Sequence, residues 1–176
     1  MNHIARLSLV VVIYCACAIR SESAQIVGAD NKDAAMKEYA KFEGVWRFAL
    51  VEVEGVKQPD APFETNKLII SKDGGFTIVQ GPKITQGTLK LDPTKTPKHY
   101  DFTVTEGPDK GLTALGIYEL DGDTYKICLP LRNKERPAVL ISKPGSGCLF
   151  QVFKREKQDV KEALIEVRRQ QKELKK

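Results

Sequence analysis

The chain has 176 residues, with 28 Lys and Arg against 23 Asp and Glu, one Trp, two His and four Cys. That length suits one domain whose core can fold without metals or disulfides. The formal charge of +5 is confined to the ends, since residues 1–24 carry +1, residues 154–176 carry +4 and residues 25–153 are neutral, which excludes a body built as a basic nucleic-acid-binding face.

The first element is a leader. Arg6 precedes an uncharged apolar run, Leu7 to Ile19, which stops at Arg20 and is followed by Ser21-Glu22-Ser23-Ala24. This pattern reads as a secretory signal peptide over residues 1–24. The run is shorter than the roughly 20 residues that a stable bilayer-crossing helix needs, so no membrane span is expected once the leader is removed. The Ala16-x-Ala18 spacing and the Ser23-Ala24 region both offer cleavage sites, and the residues before Cys15 and Cys17 fit a lipoprotein signal poorly. The expected location is secreted, periplasmic or cell-envelope.

Residues 25–42 form an N-terminal segment with one short helix, Asp33 to Lys41, which opens on a capping-type Asp and places Met36, Tyr39 and Ala40 at helical spacing. Residues 43–155 then read as nine short strands: Val45–Val53, Leu68–Ser71, Phe76–Val79, Thr88–Leu91, Tyr100–Thr105, Leu112–Leu120, Thr124–Leu129, Ala138–Ser142 and Leu149–Phe153. Leu89 and Leu91 flank Lys90, Phe102 and Val104 flank Thr103, and Tyr125, Ile127 and Leu129 alternate with Lys126 and Cys128. Such alternation buries one face and belongs to antiparallel sheets. The connectors Asp73-Gly74-Gly75, Gly81-Pro82, Asp121-Gly122-Asp123 and Pro144-Gly145-Ser146-Gly147 carry tight-turn chemistry. The expected fold is all-β, an antiparallel up-and-down barrel of eight or nine strands, because closure removes the exposed edges of an open sheet.

Residues 156–176 read as a basic amphipathic helix with Val160, Leu164, Val167 and Leu174 on one stripe, interrupted by Gln171. The stripe can pack on the barrel exterior, meet a partner helix or lie in solvent. Of the four cysteines, Cys15 and Cys17 leave with the leader. Export would permit a Cys128–Cys148 disulfide, but a strand at Ala138–Ser142 would hold their strands about 9.6 Å apart, beyond the roughly 7 Å between Cα atoms that a bridge tolerates. Cys128 then reads as a small buried hydrophobe.

Little in the body promotes catalysis. His99 is the only histidine after the leader, and it has no nearby cysteine cluster, so neither a metal site nor a histidine-activated nucleophile is expected. Most carboxylates occupy turn positions, Asp121-Gly122-Asp123 is too short for a calcium loop, and neither a phosphate-cradling glycine loop nor a nucleophile elbow occurs. The reading is a non-enzymatic protein without a cofactor.

Gly44-Val45-Trp46 at the start of the first strand resembles the Gly-x-Trp signature of lipocalins and other calycins, and Lys154-Arg155 at the end of the last strand resembles its basic partner. The pair has a physical purpose. Where first and last strands meet, the Trp can seal the barrel base, a cation can lie across its ring, and Gly leaves clearance for the crossing side chain. The chain more closely resembles a lipocalin-like domain of unknown function abundant in planctomycete bacteria, through Glu43-Gly44-Val45-Trp46, Gly87 to Pro93, Pro97-Lys98 with Asp101, Gly107 to Gly111, Gly116 to Asp123, Glu135-Arg136-Pro137 and Lys143 to Gly147. The similarity spans about residues 40–157. It departs after Arg136-Pro137, where such domains usually place an aromatic and this chain has Ala138-Val139-Leu140. The resemblance implies a fold and export, and no activity.

A barrel of this size encloses side chains or one small ligand. If Tyr125 faces inward, the candidate lining is Trp46, Phe48, Leu89, Leu91, Phe102, Val104, Ile117, Tyr125, Ile127 and Leu129, with Arg47, Tyr118 and Arg136 as polar groups near a mouth. The expected function is binding of a small apolar or amphipathic molecule. The alternative is a protein-interaction or envelope-associated module with a filled barrel, working through the C-terminal helix.

Overall fold

A computed structural model describes residues 33–60, 63, 65–131 and 135–173 of the protein. The leader expected over residues 1–24 lies outside the described residues. A helix, α1, spans residues 33–42. It is followed by β1 (Gly44–Val53), β2 (Val56–Lys57), β3 (Lys67–Ile70), β4 (Gly75–Gln80), β5 (Lys83–Asp92), β6 (Lys98–Glu106), β7 (Thr113–Asp121), β8 (Thr124–Pro130), β9 (Cys148–Glu156) and the helix α2 (Val160–Glu173).

Each strand from β3 to β9 pairs antiparallel with the next, β3 returns to β1, and β1 also pairs with β9 from Val45↔Glu156 to Val53↔Leu149. The sheet therefore closes as an eight-stranded up-and-down barrel, with β2 as one extra two-residue strand that doubles back on the end of β1. The alternation in sequence is what closure requires, because inward positions such as Leu89, Leu91, Tyr125 and Ile127 are buried while Lys90 between the leucines is exposed. Gly87 marks a register shift between β5 and β6. A Cβ there would lie 2.1 Å from the Thr103 carbonyl and 2.5 Å from the Phe76 ring, so only glycine lets that ring lie across the strand.

Two strand expectations change. The run Ala138–Ser142 is not a strand. β9 already occupies the edge of β8, with Cys128↔Phe150 and Pro130↔Cys148 opposite one another, so the run has no free edge to pair with and crosses the barrel exterior as irregular chain. β5 is longer than expected, reaching back to Lys83, because the Gly81-Pro82 turn allows Ile84 and Thr85 to pair with Val79 and Ile78.

α2 starts where Asp159 accepts hydrogen bonds from the backbone N–H of Lys161 (2.8 Å) and Glu162 (3.2 Å), an N-cap. Its apolar stripe packs on the outside of the barrel. Ala163 and Val167 are buried against Val45 and Ile69, with Val160 and Leu164 beside them.

Candidate functional site

The inward faces of the strands make one continuous aromatic and aliphatic core, and its two ends differ. At the α1 end the barrel is stoppered. Phe42, the last residue of α1, is fully buried and meets Tyr118 and Tyr125 edge-on at 5.1 and 5.2 Å between ring centroids. Its carbonyl accepts a 2.8 Å hydrogen bond from Trp46 Nε1. Tyr125 stands perpendicular to Trp46 at 4.7 Å and stacks on Phe153 at 4.4 Å. Arg155, at the end of β9, lies over the Trp46 ring at 4.0 Å. Its guanidinium also donates to the carbonyls of Lys41 and Glu43, both at 2.6 Å, and to Asp123 at 2.9 Å. The cation thus satisfies carbonyls left open at the end of α1. A Cβ on Gly44, which has φ +151°, would come within 2.5 Å of that guanidinium, so the glycine provides the expected clearance. Lys154 points the other way, opposite Arg47, and donates to Thr124.

Charge is also buried at this end. Glu38 is only 3% exposed, and its carboxylate accepts hydrogen bonds from Tyr118 Oη (2.9 Å), Lys98 Nζ (2.8 Å) and Lys41 Nζ (2.8 Å). Burial pushes its pKa up, but the three donors outweigh it and hold the carboxyl below its ordinary value.

Beyond this stopper, toward the opposite end, the core leaves a cavity of about 160 Å³. Phe48, Phe76, Tyr100, Phe102 and Phe153 supply its aromatic wall, Leu68, Ile78, Ile127, Leu129 and Leu149 its aliphatic wall, and Gln80 and Gln151 its two amide side chains. Phe63, in the chain between β2 and β3, stacks on Phe48 at 6.1 Å. Off the cavity, in the stopper, the hydroxyl of fully buried Tyr125 has no hydrogen-bond partner of normal geometry, the polar group beside it being the Tyr100 hydroxyl. Burial drives the pKa of both phenols far up, so both are neutral.

Of the expected lining, Phe48, Phe102, Ile127 and Leu129 border the cavity. Trp46, Leu89, Leu91, Val104, Tyr118 and Tyr125 belong to the same buried core but lie off it. Ile117 is fully buried on the outer face, opposite Cys128 in the ladder. Arg136 is also outside, where it is ion-paired with Asp101 and donates to the Gly116 carbonyl, pinning the irregular 135–147 segment to β6 and β7. The residues that sequence reasoning missed are on β3, β4 and β9, and Tyr100. Period-two spacing carries their signal, since Phe76, Ile78 and Gln80, and likewise Leu149, Gln151 and Phe153, fall on one face each.

Comparison with protein-family models, with curated proteins and with solved structures gave no match.

Among the described residues no group of three or more His, Cys, Asp or Glu could hold a metal ion. His99 sits on β6 opposite Asp92 and Ile117, where burial first and the Arg136 charge second lower its pKa. It has no nucleophile beside it in the ladder. The arrangement at this end of the barrel is a half-open apolar pocket with a few polar atoms at its wall.

Proposed function

We propose that this chain is an exported, lipocalin-like protein that binds a small apolar or amphipathic molecule inside its barrel. The observation that carries the reading is the cavity of about 160 Å³ in an otherwise filled core. A half-open pocket of that kind, walled by five aromatic and five aliphatic side chains, leaves apolar surface without the packing partners that a filled barrel end would give it. Roughly 150 Å³ of apolar space is enough to hold a benzene-sized molecule. The two glutamine side chains and the Tyr100 phenol allow the occupant one polar group. The ligand class is therefore a single-ring or short-chain compound with at most one polar substituent. Export is supported by the Leu7–Ile19 run and its flanks.

Methyl NMR during titration with indole tests the binding directly. Saturable shifts at Ile78, Ile127 and Leu129 support it, while unchanged methyl spectra at the solubility limit of indole overturn it. Native mass spectrometry of protein purified from an exporting host asks whether a ligand is carried, and processing after the leader is read from the same mass.

A further inference from the structure

The 131–147 chain leaves β8 at Pro130 and returns to β9 at Cys148, and the two cysteines stand at this root. In the ladder Cys128 faces Phe150 and Pro130 faces Cys148. Cys128 and Cys148 are therefore diagonal neighbours on adjacent strands and on the same, outer face of the barrel. Both are free thiols. The strand pair that would have kept them apart does not exist, because Ala138–Ser142 is not inserted between β8 and β9.

Their positions are fixed by well-bonded backbone. The Cys148 carbonyl accepts from Glu54 N (3.0 Å) and from Ser142 Oγ (3.0 Å), and Leu131 N donates to the Gly147 carbonyl at 2.7 Å, extending the ladder past the pair. Cys128 is fully buried and its thiol points at the Ile141 carbonyl, 3.7 Å away. Cys148 is partly exposed and lines a groove of about 590 Å³ together with Pro130, Pro137, Val139 and Ser146. Burial, followed by the neighbouring Cys148 thiol, pushes Cys128 up to about 12. Cys148 is thus the thiol that reagents reach, and Cys128 is the one held in reserve.

We propose that Cys128 and Cys148 form a disulfide site, closed by a small-molecule or protein disulfide that enters through the groove beside Cys148. In the first step the Cys148 thiolate attacks one sulfur of the oxidant, R–S–S–R, and expels R–S⁻. In the second, the Cys128 thiol gives its proton to that thiolate while its sulfur attacks Sγ of Cys148 and displaces the second R–S group as thiolate, which takes up from solvent the proton that Cys148 released on ionising. One disulfide forms, one is reduced to two thiols, and two electrons pass to the oxidant. The bond would fasten β8 to β9 at the root of the 135–147 segment, where Arg136 pairs with Asp101, Ser142 Oγ accepts from Gly55 N and donates to the Cys148 carbonyl, and Gly147 N donates to Glu54. An oxidising compartment, which the export reading would provide, favours the closed form, but the pairing itself rests on strand register and is tested without reference to export or ligand.

The full chain is incubated with excess oxidised glutathione, and its peptides are mapped under non-reducing conditions, which keeps Cys15 and Cys17 out of the assignment. The expected product links the peptide of Cys128 to that of Cys148 without retained glutathione. The oxidised protein should melt about 10 °C above the reduced one. In Cys128→Ala, Cys148 should instead accumulate as the glutathione mixed disulfide, because nothing remains to resolve it. If wild-type protein also stops at the mixed disulfide, or keeps both thiols free in excess oxidant, the proposal is overturned.

Discussion

The two ends of the barrel use the same kind of side chain for opposite ends. At the α1 end, Phe42, Trp46, Tyr118 and Tyr125 interlock edge to face, and three polar groups there find partners: Trp46 in the Phe42 carbonyl, Tyr118 in Glu38, and the end of α1 in Arg155. Toward the other end, Phe48, Phe76 and Phe102 surround space, and two glutamines stand where ions stand at the stopper. The difference teaches that aromatic content does not by itself mark a binding site. What sets the second end apart is aromatic surface without a packing partner.

The comparison breaks most severely at the stopper. Trp46→Ala removes a fully buried side chain that touches Tyr125, Arg155 and the Phe42 carbonyl together. It should cost about 3–5 kcal/mol, read as a lowered midpoint in urea denaturation. Arg155→Ala comes next. It loses the stacked cation and the bonds to two helix carbonyls, about 2–4 kcal/mol in all, and Arg155→Lys should recover little of it because an ammonium cannot make the forked contacts. Lys154→Ala, on the outer face, should change the midpoint by less than about 0.5 kcal/mol. Equal effects at 154 and 155 would contradict the assignment of the seal to Arg155.

Much of the stopper was legible in the sequence, and the reason is that closure is a local demand. Gly44, Trp46 and Arg155 have to meet wherever the first and last strands pair, so their positions at strand ends carry the information. Glu38 carried no such signal, because a glutamate on a short charged helix looks solvated until the helix is laid across the barrel end. The cavity was half legible. Alternation identifies Phe48, Phe102, Ile127 and Leu129, but it fails at Ile117 and Tyr118, adjacent residues that are both buried. The 135–147 segment covers the outer face there, and a strand covered on both faces loses its period. The same segment misleads at Ala138–Ser142, whose apolar composition suits a strand although no edge was left for it. That one misreading also hid the neighbouring cysteines.

The Glu38 network gives the next largest effect and the one with a pH signature. Glu38→Gln leaves the buried Tyr118 hydroxyl facing an amide and frees Lys98 and Lys41, which are both able to reach water, so the cost should be about 1–3 kcal/mol. Because the carboxyl is held below its ordinary value in the folded state, the unfolded chain takes up the proton first as the pH falls. The stability it contributes is therefore complete above pH about 4.5 and is lost as the pH drops through the folded value. Thermal melts of wild type and Glu38→Gln should converge in that acid range and separate above it. A difference independent of pH would mean that shape, and not charge, holds α1 in place.

A small expected change in stability falls at the cavity, and it sharpens the comparison most. Ile78→Trp directs a large ring from β4 into the space bounded by Phe102 and Leu129. In a packed core such a substitution costs about 1–3 kcal/mol through strain. Here the added atoms find room and new dispersion contacts, so the midpoint should move by less than about 1 kcal/mol, in either direction, while indole-induced methyl shifts disappear. A placement of the same ring at Leu91, which is buried away from the cavity, should instead unfold or strongly destabilise the barrel. If both substitutions are equally disruptive, the space beside Phe102 is not room that a ligand can occupy. If Ile78→Trp folds as well as wild type and no longer responds to indole, the unfilled end is a binding site and the filled end is its support.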